Sequence, residues 1–94
     1  MYGLIGQILA TPGKRDEVAQ ALTEGTRDLP GCLSFIIALD TANADALWVT
    51  EVWVDKESHD SSLQQPAVQA AIERAKPMIV GFNTRIETIP VGGV

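Results

Sequence analysis

The residues of this chain best suited to chemistry lie in one short stretch around the second tryptophan. Both tryptophans, Trp48 and Trp53, and the single histidine, His59, fall within it. An imidazole has an ordinary pKa near 6.5, so modest changes in its surroundings set its charge and make it a suitable proton acceptor. An indole offers a flat wall for an aromatic ligand and one N–H donor. His59 is therefore a candidate proton acceptor, and Trp53 is a candidate wall for an aromatic ligand.

Each of these residues also has a structural interpretation that needs no ligand. His59 comes shortly after a predicted helix start and would then be a solvated surface residue. Trp53 would pack in the core or in a subunit interface. Trp48 lies on the opposite face of the same strand, since successive strand residues alternate. The two tryptophans therefore cannot line one pocket within one subunit.

A carboxylate in an apolar strand extends the candidate site. Glu51 is on the Trp53 face, where it must be paired, hydrogen-bonded or protonated. One interpretation is a structural ion pair with Arg85 on the last strand. The other makes Glu51 an orienter of a ligand or of His59, with a raised pKa marking the site. Arg85 and Asn83 have the same strand parity, so we expect both to line one sheet face.

Composition limits the class of protein. A chain of 94 residues that is 46% hydrophobic forms one folded domain rather than a disordered segment. Its net charge of −5 gives no electrostatic basis for binding nucleic acid. Cys32 is alone and matches no metal or disulfide spacing. No apolar run has the length of a membrane span, and the N-terminus lacks the basic segment of a signal peptide. We expect a cytoplasmic protein without a membrane partner.

The hydrophobic pattern predicts six elements joined without a linker. They are strands at Tyr2–Ala10, Cys32–Leu39, about Ala46–Val54 and Met78–Ile89, a helix at Lys14–Leu29, and a second helix whose longer piece is Ala67–Lys76. Asp55 is the expected N-cap of the second helix, and Pro66 is expected to divide it. The order strand, helix, strand, strand, helix, strand predicts an α+β ferredoxin-like fold, a split βαβ with both helices on one face of an antiparallel sheet.

Both faces of this sheet are predicted to be apolar. In the second strand Phe35 and Leu33 point to one face and Ile36 to the other; in the third, Trp53 and Val52 do the same. One layer of helices covers one face only, so the second apolar face needs another cover. The sequence predicts a homodimer in which two copies pack sheet against sheet. On the helix-covered face, Phe35 and Leu33 are expected to complete an apolar pocket.

Four segments carry a resemblance to a known family. They are Thr11–Arg15 entering the first helix, Pro30–Leu33 entering the second strand, Glu51–Trp53 ending the third, and Ser62–Pro66 before the last helix. In this order and spacing they resemble the antibiotic biosynthesis monooxygenase family over nearly the whole chain. The resemblance implies a dimeric α/β barrel. It also implies oxidation of a small aromatic or quinol-type substrate by molecular oxygen, with no bound cofactor. No metal is expected, because one histidine and one cysteine are too few for a zinc site.

The resemblance also implies roles for individual residues. Family members commonly carry a histidine where this chain has Ser62, and His59 stands about one helical turn earlier. Residues three apart share a helix face, so the imidazole of His59 either reaches the same pocket, where it is the candidate catalytic residue, or points elsewhere. The candidate substrate-binding residues are Trp53, Glu51, Phe35 and Arg85, from their chemistry and strand positions, and Ser62, which the resemblance adds.

Three functions fit these residues. The first is a cofactor-independent monooxygenase, and the second is a non-catalytic dimeric module that binds a small ligand or only assembles. The third, a haem-degrading relative, needs an axial histidine facing a roomy pocket, and His59 is poorly placed for that so near a helix start. The surroundings of His59 separate the first two. An imidazole lining a closed apolar cavity favours the oxygenase, whereas a solvated imidazole beside a filled cavity favours the module.

Overall fold

The computed structural model describes all 94 residues, as one four-stranded sheet with helices on one side. The elements are β1 (Tyr2–Ala10), α1 (Arg15–Gly25), β2 (Cys32–Leu39), β3 (Ala46–Trp53), α2 (Lys56–Ser62), α3 (Pro66–Ala75), a short 3₁₀ helix (Lys76–Met78) and β4 (Ile79–Thr88). The strands lie in the order β2-β3-β1-β4, and every neighbouring pair is antiparallel. The predicted ferredoxin-like fold is confirmed. None of the helices combines the length and the hydropathy that a membrane span requires.

The second helical region is divided as its sequence predicts. Asp55 is the N-cap of α2, and its Oδ1 accepts a hydrogen bond from the Ser58 amide at 2.8 Å. Pro66 is the first residue of α3, where its missing N–H breaks no helical hydrogen bond. The short α2 carries two buried polar residues, His59 and Ser62. The break between the two helices lets α2 turn these side chains inward independently of α3.

The first helix ends earlier than its hydrophobic pattern predicts. The expected end at Leu29 was wrong, since α1 stops at Gly25. Asp28 has a φ of 53°, and a residue in the left-handed region cannot continue a right-handed helix. The turn brings Leu29 against a buried cluster that contains Trp53. Leu29 therefore packs against this cluster from a turn rather than from a continuation of α1.

Bulges at the two edge strands change which residues share a face. In β4, Thr84 pairs with Gln7 and Phe82 with Ile8, so Asn83 is an extra residue. Asn83 donates a hydrogen bond to Gln7 Oε1 at 2.8 Å, on the sheet face away from the helices. Arg85 lies opposite Gly6 on the other face. The expectation that Asn83 and Arg85 share a face was wrong.

A second irregularity removes Leu33 from the expected pocket. Cys32 pairs with Trp53 and Ser34 pairs with Val52, so Leu33 is extra in β2 and remains 46% exposed. Phe35 packs against the core as predicted. The apolar pocket therefore receives Phe35 without Leu33.

The sheet is apolar on both sides, as predicted. On the face away from the helices, one row of paired residues crosses all four strands: Ile36, Thr50, Ile5 and Ile86. Ile36 is 56% exposed and Ile86 50% exposed. We call this row the outer row. Its exposed isoleucines are the observation on which the predicted homodimer depends.

Candidate functional site

A cavity of about 190 Å³ lies between the sheet and α1, and Glu51 and Arg85 are its charged residues. We call it the Glu51 chamber. Its remaining lining comes from every strand and from α1: Gly6, Ile8, Leu22, Phe35, Val49, Phe82 and Thr84. The structure thus brings together three predicted site residues, since Phe35 lies in the same wall. A carboxylate and a guanidinium in a largely apolar cavity are suited to bind a ligand with one acidic group.

The chamber exists because β1 has a glycine where a side chain would fill it. Gly6 pairs with Val49 on one side and Arg85 on the other. A Cβ placed on Gly6 would have only the Thr84 carbonyl oxygen within 4 Å, at 3.5 Å. The space above Gly6 is therefore open rather than taken up by packing.

Glu51 has one oxygen held by the protein and one that is free. Its Oε1 accepts a hydrogen bond from Trp53 Nε1 at 3.0 Å and lies 3.9 Å from His59 Nε2. Its Oε2 has no hydrogen-bond partner. Every fully buried side-chain oxygen in the structure has one, so Oε2 must retain some accessible surface. Burial raises the pKa of Glu51, against the Trp53 hydrogen bond and the charges of His59 and Arg85, which lower it. The carboxylate therefore takes up a proton more readily than an exposed glutamate.

His59 is buried beside the chamber but does not line it. Its side chain is 11% exposed and packs between two aromatic rings, with centroids 5.3 Å from Tyr2 and 5.7 Å from Trp53. Its Nδ1 lies 3.0 Å from Asp60 Oδ1. The imidazole is neither solvated nor in the cavity wall. It contacts the candidate site through Glu51.

The other predicted site residues also lie behind the wall. Trp53 has no exposed surface, so it contacts Glu51 and His59 and not the chamber. Ser62 is buried, and its hydroxyl donates to the His59 carbonyl at 2.6 Å within α2. The expected ion pair between Glu51 and Arg85 is not formed, although the Arg85 charge still lowers the pKa of Glu51.

Two residues of the site are absent from the sequence prediction. Gly6 shapes the chamber, and Tyr2 packs on His59 while its hydroxyl donates to Glu87 Oε2 at 2.7 Å. Burial, followed by the Glu87 hydrogen bond, raises the pKa of Tyr2. Tyr2 pairs with Trp53 across β1 and β3, which is the signal that could have indicated it. This pairing can be recognised only when the register of β1 against β3 is known, and the local sequence of β1 does not determine that register.

Comparison with known proteins agrees with this architecture. The family model of the antibiotic biosynthesis monooxygenases matches residues 1–74. The chain belongs to the antibiotic biosynthesis monooxygenase family. A crystal structure from Chloroflexus aurantiacus, named after the same family, is 49% identical, with a TM-score of 0.96 over 99% of this chain and 95% of that one.

Solved structures with lower sequence identity share the fold of this member of the antibiotic biosynthesis monooxygenase family. A Deinococcus radiodurans protein that carries the family's name is 20% identical, with a TM-score of 0.81 over 100% of this chain and 96% of that one. A Pseudomonas aeruginosa protein is 16% identical, with a TM-score of 0.83 over 97% of this chain and 94% of that one. A comparison with curated proteins gave no match.

Proposed function

We propose that this chain is a cofactor-independent monooxygenase that oxidises a small phenol with a free para carbon in the Glu51 chamber. The observation that carries the proposal is the state of Glu51. Its Oε1 is held by Trp53, its Oε2 is accessible, and burial raises its pKa. Glu51 therefore takes the role of proton acceptor that the sequence assigned to His59. His59 and Trp53 become positioning residues that hold the carboxylate.

Proton removal is the step that these side chains perform. Glu51 Oε2 accepts the proton of the phenolic hydroxyl, and a base whose pKa approaches the working pH is effective in this role. The guanidinium of Arg85 stabilises the phenolate by its positive charge. The apolar walls, including Phe35 and Val49, pack against the ring of the substrate. The product of this step is an electron-rich phenolate that molecular oxygen can oxidise.

Oxygen then reacts with the anion directly. The phenolate gives one electron to dioxygen, and the two radicals join by a C–O bond at the free para carbon. Protonated Glu51 returns its proton to the peroxide, which gives a hydroperoxide. The ring carbon then loses its hydrogen as a proton, the O–O bond breaks, and the departing hydroxide and that proton form water. One phenol and one dioxygen give one para-quinone and one water.

Oxygen uptake with a panel of phenols and naphthols whose para carbon is free tests the proposal. We expect Glu51→Gln to lower kcat by about 100-fold or more, the usual scale for loss of a general base. Glu24→Gln is the matched control, because Glu24 lies on α1 outside the chamber and pairs with Arg74. Equal uptake by Glu51→Gln and Glu24→Gln would remove Glu51 from the reaction.

His59→Ala separates the two candidate bases. If His59 positions Glu51, the variant keeps measurable turnover and the pH at which the rate rises moves. If His59 is the base, His59→Ala is as inactive as Glu51→Gln. Unchanged rate and pH profile in His59→Ala would remove both roles.

A non-catalytic binding module is the second candidate. The observation in its favour is that the single histidine does not line the cavity. A module of this kind binds a phenol in the Glu51 chamber without consuming oxygen. Calorimetric titration alongside the uptake assay distinguishes the two functions.

We also infer that the chain forms a homodimer through the outer row. Ile36 and Ile86 expose half or more of their surfaces on a sheet face that no helix covers. A two-fold contact places the same row of both copies against each other, so the exposed isoleucines of one copy are covered by the row of the other. The second copy is the cover that the sequence predicts for this face.

A further inference from the structure

A larger apolar cavity adjoins the Glu51 chamber. It has a volume of about 560 Å³ and is lined by nine residues, seven of them hydrophobic. We call it the apolar groove and define it by Leu22 of α1, Ile72 of α3, and Ile79, Val80 and Phe82 of β4. Lys76 is its only charged lining residue. A site of this composition accepts hydrocarbon rather than a polar group.

The groove and the chamber are adjacent. Ile8, Leu22 and Phe82 line both, so these three side chains lie where the two spaces meet. A single ligand that passes these side chains would place a polar end at Glu51 and extend an apolar end along α3. This adjacency distinguishes the groove from an isolated apolar patch on the surface.

The sizes of the two spaces indicate a ligand with two parts. The chamber, at about 190 Å³, is below the range of about 300–1,000 Å³ usual for small-molecule sites. The apolar groove brings the combined space into that range. The chamber holds a single-ring head, and the remaining volume is apolar.

We propose that the apolar groove binds a hydrocarbon tail of the substrate, so that the substrate class is a phenol with a free para carbon and an alkyl or alkenyl chain. The proposal rests on the function proposed above, because the head is placed at Glu51. Burial of the tail would cover Phe82 and Val80, which are 71% and 66% exposed without it. The groove thus selects substrates by the length of an apolar chain, whereas the chamber selects the acidic head.

A series of 3-alkylphenols, from methyl to octyl, tests the tail site and leaves the para carbon free for oxidation. Dissociation constants are measured by calorimetry, and oxygen uptake is measured on the same compounds. We expect the Kd to fall about two- to four-fold per added methylene and to level off once the groove is filled.

Two isoleucine variants separate binding in the groove from general hydrophobic adsorption. Ile72→Gln places an amide in the groove at a half-exposed helix position, and we expect it to flatten the dependence of Kd on chain length. Ile89→Gln makes the same change at a side chain that is 83% exposed and outside the groove, and the dependence should remain. Thermal unfolding of both variants checks that they are folded.

The outcomes separate this proposal from the proposed function. A Kd that is independent of chain length overturns the tail site, as does equal chain-length dependence in Ile72→Gln and Ile89→Gln. If a second copy or the C-terminal segment occupied the groove, the Kd would be independent of chain length. Oxygen uptake from short phenols without chain-length dependence retains the monooxygenase and removes the tail site. Binding that depends on the tail and on Ile72, without oxygen uptake, retains the tail site and removes the monooxygenase.

Discussion

At the scale of single residues, the candidate chemistry depends on how Glu51 is held. The Trp53 indole binds one carboxylate oxygen and leaves the other accessible. His59 stands 3.9 Å from the held oxygen, between the rings of Tyr2 and Trp53. A carboxylate in this setting has a fixed orientation and a proton affinity raised by burial, which are the two properties a general base requires.

The raised pKa of Glu51 makes stability depend on pH in a predictable direction. Folding raises this pKa above its unfolded value of about 4.3, so the folded state binds the proton more tightly. The stabilisation is complete below pH about 4.3 and is lost as the pH rises through the raised pKa. Glu51→Gln removes it, so we expect the variant to gain stability relative to wild type between pH 4 and pH 7 in urea unfolding.

Glu24→Gln provides a control of opposite sign. In the wild type, Glu24 accepts a hydrogen bond from Arg74, which lowers the pKa of Glu24. The folded state therefore favours the ionised carboxylate, and the wild type gains stability relative to Glu24→Gln as the pH rises toward about 4.3. Measurements from pH 3 to pH 7 cover both ranges. A difference between wild type and Glu51→Gln that is constant across this range would contradict the burial of Glu51.

At the scale of elements, the chamber is a product of strand pairing. It is open because β1 presents Gly6 between Val49 of β3 and Arg85 of β4. The bulge at Asn83 lets Phe82 and Arg85 both reach the helix-covered side. On the helix side, α1 lines the chamber with Leu22.

Filling the chamber from β1 should abolish ligand binding while preserving the fold. Gly6→Val adds a branched side chain where a Cβ meets only the Thr84 carbonyl oxygen, and valine favours strands. We expect 3-methylphenol binding to weaken at least about ten-fold, with unfolding free energy within about 1 kcal/mol of wild type. Gly92→Val, in the open C-terminal segment, is the control. Unchanged binding in Gly6→Val would place the ligand elsewhere.

The contact between α1 and α3 leaves less space for an added side chain than the chamber does. A Cβ on Gly25 would lie 2.3 Å from Ala71 Cβ and 2.9 Å from the Ala67 carbonyl oxygen. Gly25→Ala must push the two helices apart, and we expect it to cost about 1–3 kcal/mol despite alanine's higher helix propensity. Gly6→Ala, where the space is open, should lose less in the same urea titration. Equal stability of the two variants would show that the helices yield without strain.

At the scale of the whole molecule, the sheet has one covered face and one open face. Helices pack on the side of Val49 and Trp53, and the outer row is left without a cover within the chain. The site of each copy lies on the helix-covered side, away from the outer row. Dimerisation through the outer row would therefore bring two complete chambers together back to back.

Sedimentation equilibrium at micromolar concentration tests this assembly. We expect a mass twice the 10.1 kDa of one chain. Ile36→Glu places a charge in the outer row and should give a single-chain species, because burying an unpaired carboxylate is unfavourable. Ile89→Glu, outside the outer row, should remain a dimer. A stable 10.1 kDa wild-type species would disprove the contact.

Local patterns in the sequence determined the elements and several contacts of this protein. Periodicity and the signals at Asp55 and Pro66 are properties of neighbouring residues, so they predicted the element order and the division of the second helical region. Strand alternation placed Glu51 and Trp53 on one face. These predictions needed no knowledge of which strands pair.

Only the tertiary structure decided how the site is assembled. The register that sets Gly6 between Val49 and Arg85, and the bulge that separates Asn83 from Arg85, arise from pairing between distant segments. Burial of His59 against Tyr2 depends on the same register. Each is chosen by the packing of the whole sheet against its helices, because a shift of one residue would reverse the face of every side chain in a strand.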